Sequence, residues 1–206
     1  MHRKSNRPNF LPLLPALLIA GLAQACVEDI GFDDEDQGED ETADTGEDAG
    51  EHISSSQDGE VTTSLVDASS ESDWVYFDLD GSAEVTDADA WELGLRRFEI
   101  IVNGGISGDA GVEVAILEGV DLDEVDAAPE DAEWVTDAVD ADDDGTDELV
   151  FIDWYDYDFT THLLSPKQRV YVVRSSEGAD FGVQIDGYYS EAGTSGVLTL
   201  RWKPLG

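Results

Sequence analysis

The densest run of metal-binding side chains in this sequence is "DADDDGTDE", Asp140 to Glu148. Asp140, Asp142 and Asp144 stand at alternate positions with Gly145 next, the spacing by which an EF-hand-type loop wraps oxygen atoms round Ca2+. Thr146 would offer its backbone carbonyl, and Glu148 the ninth position of the loop. Phe151 occupies the twelfth, where a bidentate glutamate belongs, and the strand-like "ELVFIDW" follows in place of a helix. The loop is therefore not a full EF-hand. Two readings stay open: a weak calcium loop completed by a carboxylate from elsewhere, and a solvated acidic hairpin.

A second stretch with chemical content is "WELGLRRFEIIVNGGISG", Trp91 to Gly108, which sets an Arg pair beside a glycine-rich turn. A phosphate loop needs a lysine and a following helix, so that backbone amides and the helix dipole face the anion. This turn has neither, Asp109 would repel phosphate, and Asp109 also stands where a GxSxG nucleophile elbow needs its last glycine. The simpler expectation is a structural turn, in which Asn103 and Gly104 adopt positive φ and close a hairpin. Arg96 and Arg97 then serve as internal partners for carboxylates.

Catalysis has little to work with. Beyond the leader the chain holds two histidines, His52 and His162, and its single cysteine is Cys26. No common nucleophile-base pair and no histidine cluster can be assembled from these, so the protein is expected to be non-enzymatic. A formal charge of −39 excludes nucleic acid as a partner.

These residues are carried on a chain of three parts. His2, Arg3, Lys4 and Arg7 precede an apolar run from Phe10 to Leu22, which reads as a signal peptide over residues 1–25. "LAQAC" resembles a bacterial lipobox, which makes Cys26 the lipid acceptor and places the protein at the outer membrane, lipid-anchored, facing the periplasm or the surface. Two or more acyl chains hold such a protein without a transmembrane helix. Residues 26–60 are dominated by Asp, Glu, Gly, Ser and Thr without one Lys or Arg, and read as an acidic, disordered tether. Residues 61–206 read as one folded domain.

In that domain period-two patterns recur between turn signals and long helical patterns do not. Strands are expected at Val61–Val66, Trp74–Leu79, Arg97–Asn103, Val112–Leu117, Glu148–Asp153, Arg169–Arg174, Phe181–Tyr189 and Gly196–Trp202. Phe98, Ile100 and Val102 share a side, as do Val112, Val114 and Ile116, and Leu198, Leu200 and Trp202. The fold class is all-β, with antiparallel sheets packed as a sandwich-like single domain. The aromatic run "FIDWYDYDF", Phe151 to Phe159, reads first as core, with ligand contact as the alternative.

"WVYFDLDG" from Trp74, "DAWELGLRRFEIIVNGGISG" from Asp89, "RVYVVRSSEGADFGVQIDGYY" from Arg169 and "GTSGVLTLRWKPL" from Gly193 together resemble the HmuY family of bacterial lipoproteins. The resemblance implies a mainly β surface lipoprotein that captures haem and passes it to an outer-membrane transporter. It gives Arg96 and Arg97 an alternative role on the haem propionates. The family's two-histidine or methionine ligation does not transfer, because the domain holds His162 alone and no methionine. Single ligation by His162, with Tyr155 or Tyr157, or ligation across two molecules, remains. The competing reading is a calcium-stabilised structural surface module that binds no haem.

Overall fold

The computed structural model describes residues 51–141, 143 and 145–206. The lipid acceptor Cys26 and the loop residues Asp142 and Asp144 lie outside the described residues. The first strand begins before the expected domain boundary: β1 (Ile53–Asp58) pairs antiparallel with β2 (Val61–Asp67). Its sequence, ISSSQD, is polar because β1 is an edge strand that buries Ile53 alone.

β12 (Ser195–Pro204) pairs with β2 on one side and with β11 (Asp180–Tyr189) on the other; β10 (Arg169–Arg174) and β7 (Glu113–Glu118) complete a six-stranded antiparallel sheet of order β1-β2-β12-β11-β10-β7. β12 alternates from Ser195 to Trp202, with Leu198, Leu200 and Trp202 buried, until Lys203 is buried beside Trp202. β10 shows no alternation because it is covered on both faces. Tyr171 and Val173 belong to the main core, whereas Val170 and Val172 meet Leu122 and Val125 behind the sheet. Leu122 lies in the short 3-10 helix Leu122–Glu124, whose start is capped by Asp121.

A second, four-stranded sheet has the order β4-β3-β5-β6, built from β3 (Val75–Asp78), β4 (Ala83–Val85), β5 (Leu93–Arg96) and β6 (Glu99–Val102). Its inner residues Phe77, Leu93, Leu95, Ile100 and Val102 share one core with β12 and β11. Phe77 meets Trp202 edge-on at 5.8 Å between ring centroids. The two sheets thus form the sandwich. Phe98 is in the β5–β6 turn and 47% exposed, so it does not share the buried side of Ile100 and Val102.

The glycine turn differs from the expected hairpin. β6 lies in the four-stranded sheet and β7 in the six-stranded one, so the turn carries the chain from one layer to the other. Positive φ falls on Gly105, at 63°, and not on Asn103 or Gly104. Gly104 is needed for closeness: a Cβ there would sit 2.2 Å from the Val112 carbonyl oxygen. The turn is pinned by Asp137, which is 1% exposed. Its carboxylate accepts from the amides of Val102 and Val150, each at 2.9 Å, and its backbone carbonyl accepts from Ile106 at 3.0 Å.

The expected strand Glu148–Asp153 is replaced by a turn, in which the Ile152 amide bonds the Leu149 carbonyl at 3.0 Å. Beyond it β8 (Tyr155–Asp158) and β9 (Leu163–Pro166) form a two-stranded ribbon.

Candidate functional site

The ribbon β8–β9 carries the three haem-ligand candidates of the sequence. Tyr155 and Tyr157 lie two apart on β8 and therefore share a face. Tyr155, at the root, is packed against the core, its ring 4.9 Å from Trp154 and 6.2 Å from Phe98. Tyr157 is nearer the tip and 40% exposed. The tip is closed when the His162 amide donates to the Asp158 carbonyl at 2.7 Å. Asp158 also accepts from the Thr160 amide at 2.7 Å, which holds its carboxyl below the usual range. His162 itself has φ of 60°, a left-handed conformation that histidine tolerates better than most residues. The result is a contact five residues apart in sequence: the Tyr157 Oη lies 2.6 Å from His162 Nδ1. Phe159 stands beside them, 84% exposed, with its ring 5.0 Å from that of Tyr157 at 89°.

The root of the ribbon is rigidly mounted. Trp154 is 1% exposed and donates its indole N–H to the Phe98 carbonyl at 2.9 Å. Phe151 stacks on Tyr171 at 4.1 Å. Leu164 donates its amide to the Tyr189 hydroxyl at 3.0 Å, and Lys167 pairs with Asp153. The aromatic run thus divides: Phe151 and Trp154 are core, and Tyr157 and Phe159 reach solvent. Burial pushes the core phenol Tyr171 up to about 12, which removes it as a competing anionic donor.

Every Lys and Arg among the described residues is held inside the domain. Arg96 bonds Glu99 at 2.7 Å and lies over Trp74, while Arg97 turns to the Ser69 carbonyl at 3.3 Å and the Ser195 hydroxyl at 3.1 Å. The expectation of carboxylate partners therefore holds for Arg96, whereas Arg97 takes a carbonyl and a hydroxyl. Arg169 meets Glu118 at 2.9 Å, Arg174 meets Asp180 at 3.0 Å, Arg201 meets Asp186 at 2.6 Å, and Lys203 meets Asp126 at 3.2 Å. The donor set at the ribbon tip, a phenol and an imidazole, fits iron. The cation set does not fit propionates, since each guanidinium or ammonium already has a partner.

In the acidic loop, Asp140 Oδ2 accepts from the Gly145 amide at 2.7 Å, and Asp147 accepts from the Asp140 amide at 3.2 Å. Glu148 closes the neck by backbone pairing with Ala138. Thr146 and Glu148 are exposed.

One carboxylate group escaped the sequence reading. Asp78, Asp80 and Glu92 bring oxygen atoms within 4.8 Å of one another, the spacing a metal ion would need. Glu92 is fully buried, and accepts from the Leu79 amide at 2.8 Å and the Ser176 hydroxyl at 3.1 Å. The signal was present in "WELGL", a charge inside an apolar run. Burial raises the Glu92 carboxyl above its ordinary 4.5, against the pull of those hydrogen bonds. Because the folded state then holds the proton more tightly than the unfolded one, the contribution of Glu92 to stability is fullest below 4.5. It is lost as pH rises through the raised folded value. Urea unfolding across that window is expected to show a flatter pH profile for Glu92→Gln than for the natural chain; equal slopes would refute this.

A groove of about 690 Å3 runs between the edge strands β1 and β4, lined by Glu51, Ile53, Glu84 and Asp89 among others. Its end is bridged by His52, whose Nδ1 lies 2.7 Å from Glu84. His52 therefore belongs to the folded part and not to the tether. Among the described residues no helix is long and apolar enough to cross a membrane.

A family model, "HmuY protein", matches residues 70–202. No curated protein matches the chain. Among solved structures, a candidate lipoprotein of Bacteroides fragilis NCTC 9343 is similar over 72% of this chain and 92% of its own, with 20% identity and a TM-score of 0.55. A candidate HmuY-like haem-binding protein of Bacteroides vulgatus ATCC 8482 is similar over 70% and 91%, with 18% identity and a TM-score of 0.52. The apo form of a HmuY analogue from Tannerella forsythia is similar over 73% and 100%, with 13% identity and a TM-score of 0.54. At these identities the likeness is one of fold.

Proposed function

The chain belongs to the HmuY family, and from that premise we propose that it is a non-enzymatic, lipid-anchored outer-membrane protein that takes up haem on the β8–β9 ribbon. The carrying observation is the pair formed by Tyr157 and His162, 2.6 Å apart at an exposed tip with Phe159 beside it. Those two side chains supply donors to iron, and Phe159 supplies an apolar flank to the macrocycle. In this reading Cys26 carries the lipid, and the cargo passes to an outer-membrane transporter.

Titrating the purified chain with haemin tests this. A Soret shift that saturates at one haem per chain is expected, and its loss in the double variant Tyr157→Phe, His162→Ala. Absorbance that only tracks free haemin sinks the reading, and a double variant that binds like the natural chain moves the site elsewhere. A second reading, a structural surface module without haem, is favoured by the engagement of every described Lys and Arg within the domain, which leaves the propionates without a ready partner. The same titration separates the two.

A further inference from the structure

We infer that the groove between β1 and β4 is a docking site for an extended basic segment of another protein, which joins the six-stranded sheet as an added strand beside β1. No residue of the β8–β9 ribbon lines the groove, so peptide docking and haem binding are separate questions.

In each sheet one edge is covered and the other is bare. β7 ends the six-stranded sheet on one side, and there Val114 exchanges backbone hydrogen bonds of 2.8 and 2.9 Å with Val135. β6 ends the four-stranded sheet, and its outward Val102 amide is taken by the Asp137 carboxylate at 2.9 Å. The remaining edges, β1 and β4, both border the groove. Among the described residues they pair with no strand beyond β2 and β3 respectively.

Register fixes which atoms of β1 are free. The Asp67 amide donates to the His52 carbonyl at 2.8 Å, which makes Ile53 and Val66 a pair without mutual hydrogen bonds. The alternation of an antiparallel ladder repeats this at Ser55 with Ser64 and at Gln57 with Thr62. Ile53, Ser55 and Gln57 therefore direct their N–H and C=O groups away from β2, and Ile53 and Ser55 also line the groove. Natural sheets blunt such an edge with lysine, proline, a bulge or a very short strand. β1 is six residues long, ISSSQD, in unbroken register, and has none of these devices.

Charge selects the occupant. Glu51, Glu84 and Asp89 line the groove beside Ile53, Ala83 and Val85, with no Lys or Arg among them. His52, in contact with Glu84, offsets at most one of the three charges. A lysine or arginine suits both kinds of lining, because its methylene stem covers apolar surface while its charged end reaches carboxylates. A strand sends alternate side chains to one face, so the segment that fits carries Lys or Arg at every second position. Residues 27–50 of this chain contain Asp and Glu but no Lys or Arg, and are repelled by the same carboxylates. So is a second copy, which presents its own acidic groove.

Isothermal titration calorimetry of the full chain with a synthetic peptide alternating Arg and Thr provides the test. Saturation at one peptide per chain is expected, with little binding of the same peptide N-methylated at alternate amides. Ser55→Pro should lower the affinity about tenfold or more, because it puts a ring where an outward N–H stood, while the β1–β2 ladder makes no use of that N–H. Ser55→Ala keeps the N–H and should bind like the natural chain. Circular dichroism shows whether both variants keep the sheet, and if Ser55→Pro does not, the N-methylated peptide still decides. The double variant Glu51→Gln, Asp89→Asn should also bind more weakly, with the difference shrinking at high salt. Equal binding of the N-methylated peptide, or of one alternating Glu and Thr, overturns the proposal. A natural chain that binds no peptide, whether residues 27–50 or a second copy fill the groove, overturns it as well.

Discussion

Gly105→Ala is expected to destabilise the fold by about 4 kcal/mol or more, which puts it among the most damaging single substitutions available to a domain of this size. Two costs coincide at this position. The backbone has φ of 63°, which an L side chain adopts at a penalty of about 1–2 kcal/mol. The added Cβ would also stand 1.8 Å from the Asp137 carbonyl oxygen. That oxygen cannot retreat, because it accepts from Ile106 and its own side chain clamps Val102 and Val150. Gly59 supplies the control: its φ is 64°, but nothing lies within 4 Å of the built Cβ. Gly59→Ala should therefore cost only the backbone term. Thermal melts followed by circular dichroism decide the matter, and similar midpoints for the two variants would show that the close approach to Asp137 is unimportant.

The second large effect is expected at Trp154. Replacing a buried tryptophan by alanine costs about 3–5 kcal/mol, or roughly 6–20 °C of melting temperature at about 2–4 °C per kcal/mol. Trp154 also positions the ribbon: it packs against Tyr155 and Tyr188, and its N–H ties the chain to Phe98. Haemin affinity should therefore fall in Trp154→Ala even at temperatures where the domain stays folded. Trp154→Phe retains an aromatic ring and loses the hydrogen bond, so it should lie between. A Trp154→Ala chain with unchanged melting temperature would contradict the core assignment. One with lower stability and unchanged haemin affinity would show that the ribbon tip is independent of its mounting.

The strands that the sequence discloses keep one wet face or, like β10, carry a β-branched run between turn signals. β2, β7, β11 and β12 alternate or carry long apolar runs between glycines, and their bounds fall within a few residues of expectation. β5 escaped because LGLR is short, has no period to detect and lacks the β-branched residues that mark the equally buried β10. β1 escaped for the opposite reason, since a strand that buries Ile53 alone looks like the acidic segment before it. The run Glu148–Asp153 misled because Phe151 fills the core from a turn, with Val150 packed beside it, while Ile152 is exposed. The family resemblance was legible in the motifs. The contact between Tyr157 and His162 was not, because residues five apart meet only when a left-handed residue closes the ribbon. The internal pairing of the cations was equally invisible, since each pair except Arg96 with Glu99 and Arg174 with Asp180 joins segments more than ten residues apart.

β12, at residues 195–204, sits between β2 and β11 in the interior of the six-stranded sheet. The strand that joins the β1–β2 hairpin to the rest of its layer is therefore later in the chain than every other described strand. Until it arrives, β1 and β2 have no neighbour to close against, and closure of so long a loop is slow. Without β12 the β1–β2 hairpin has no pairing partner in its own layer, so docking of this one strand is the step that unites the two halves of the six-stranded sheet.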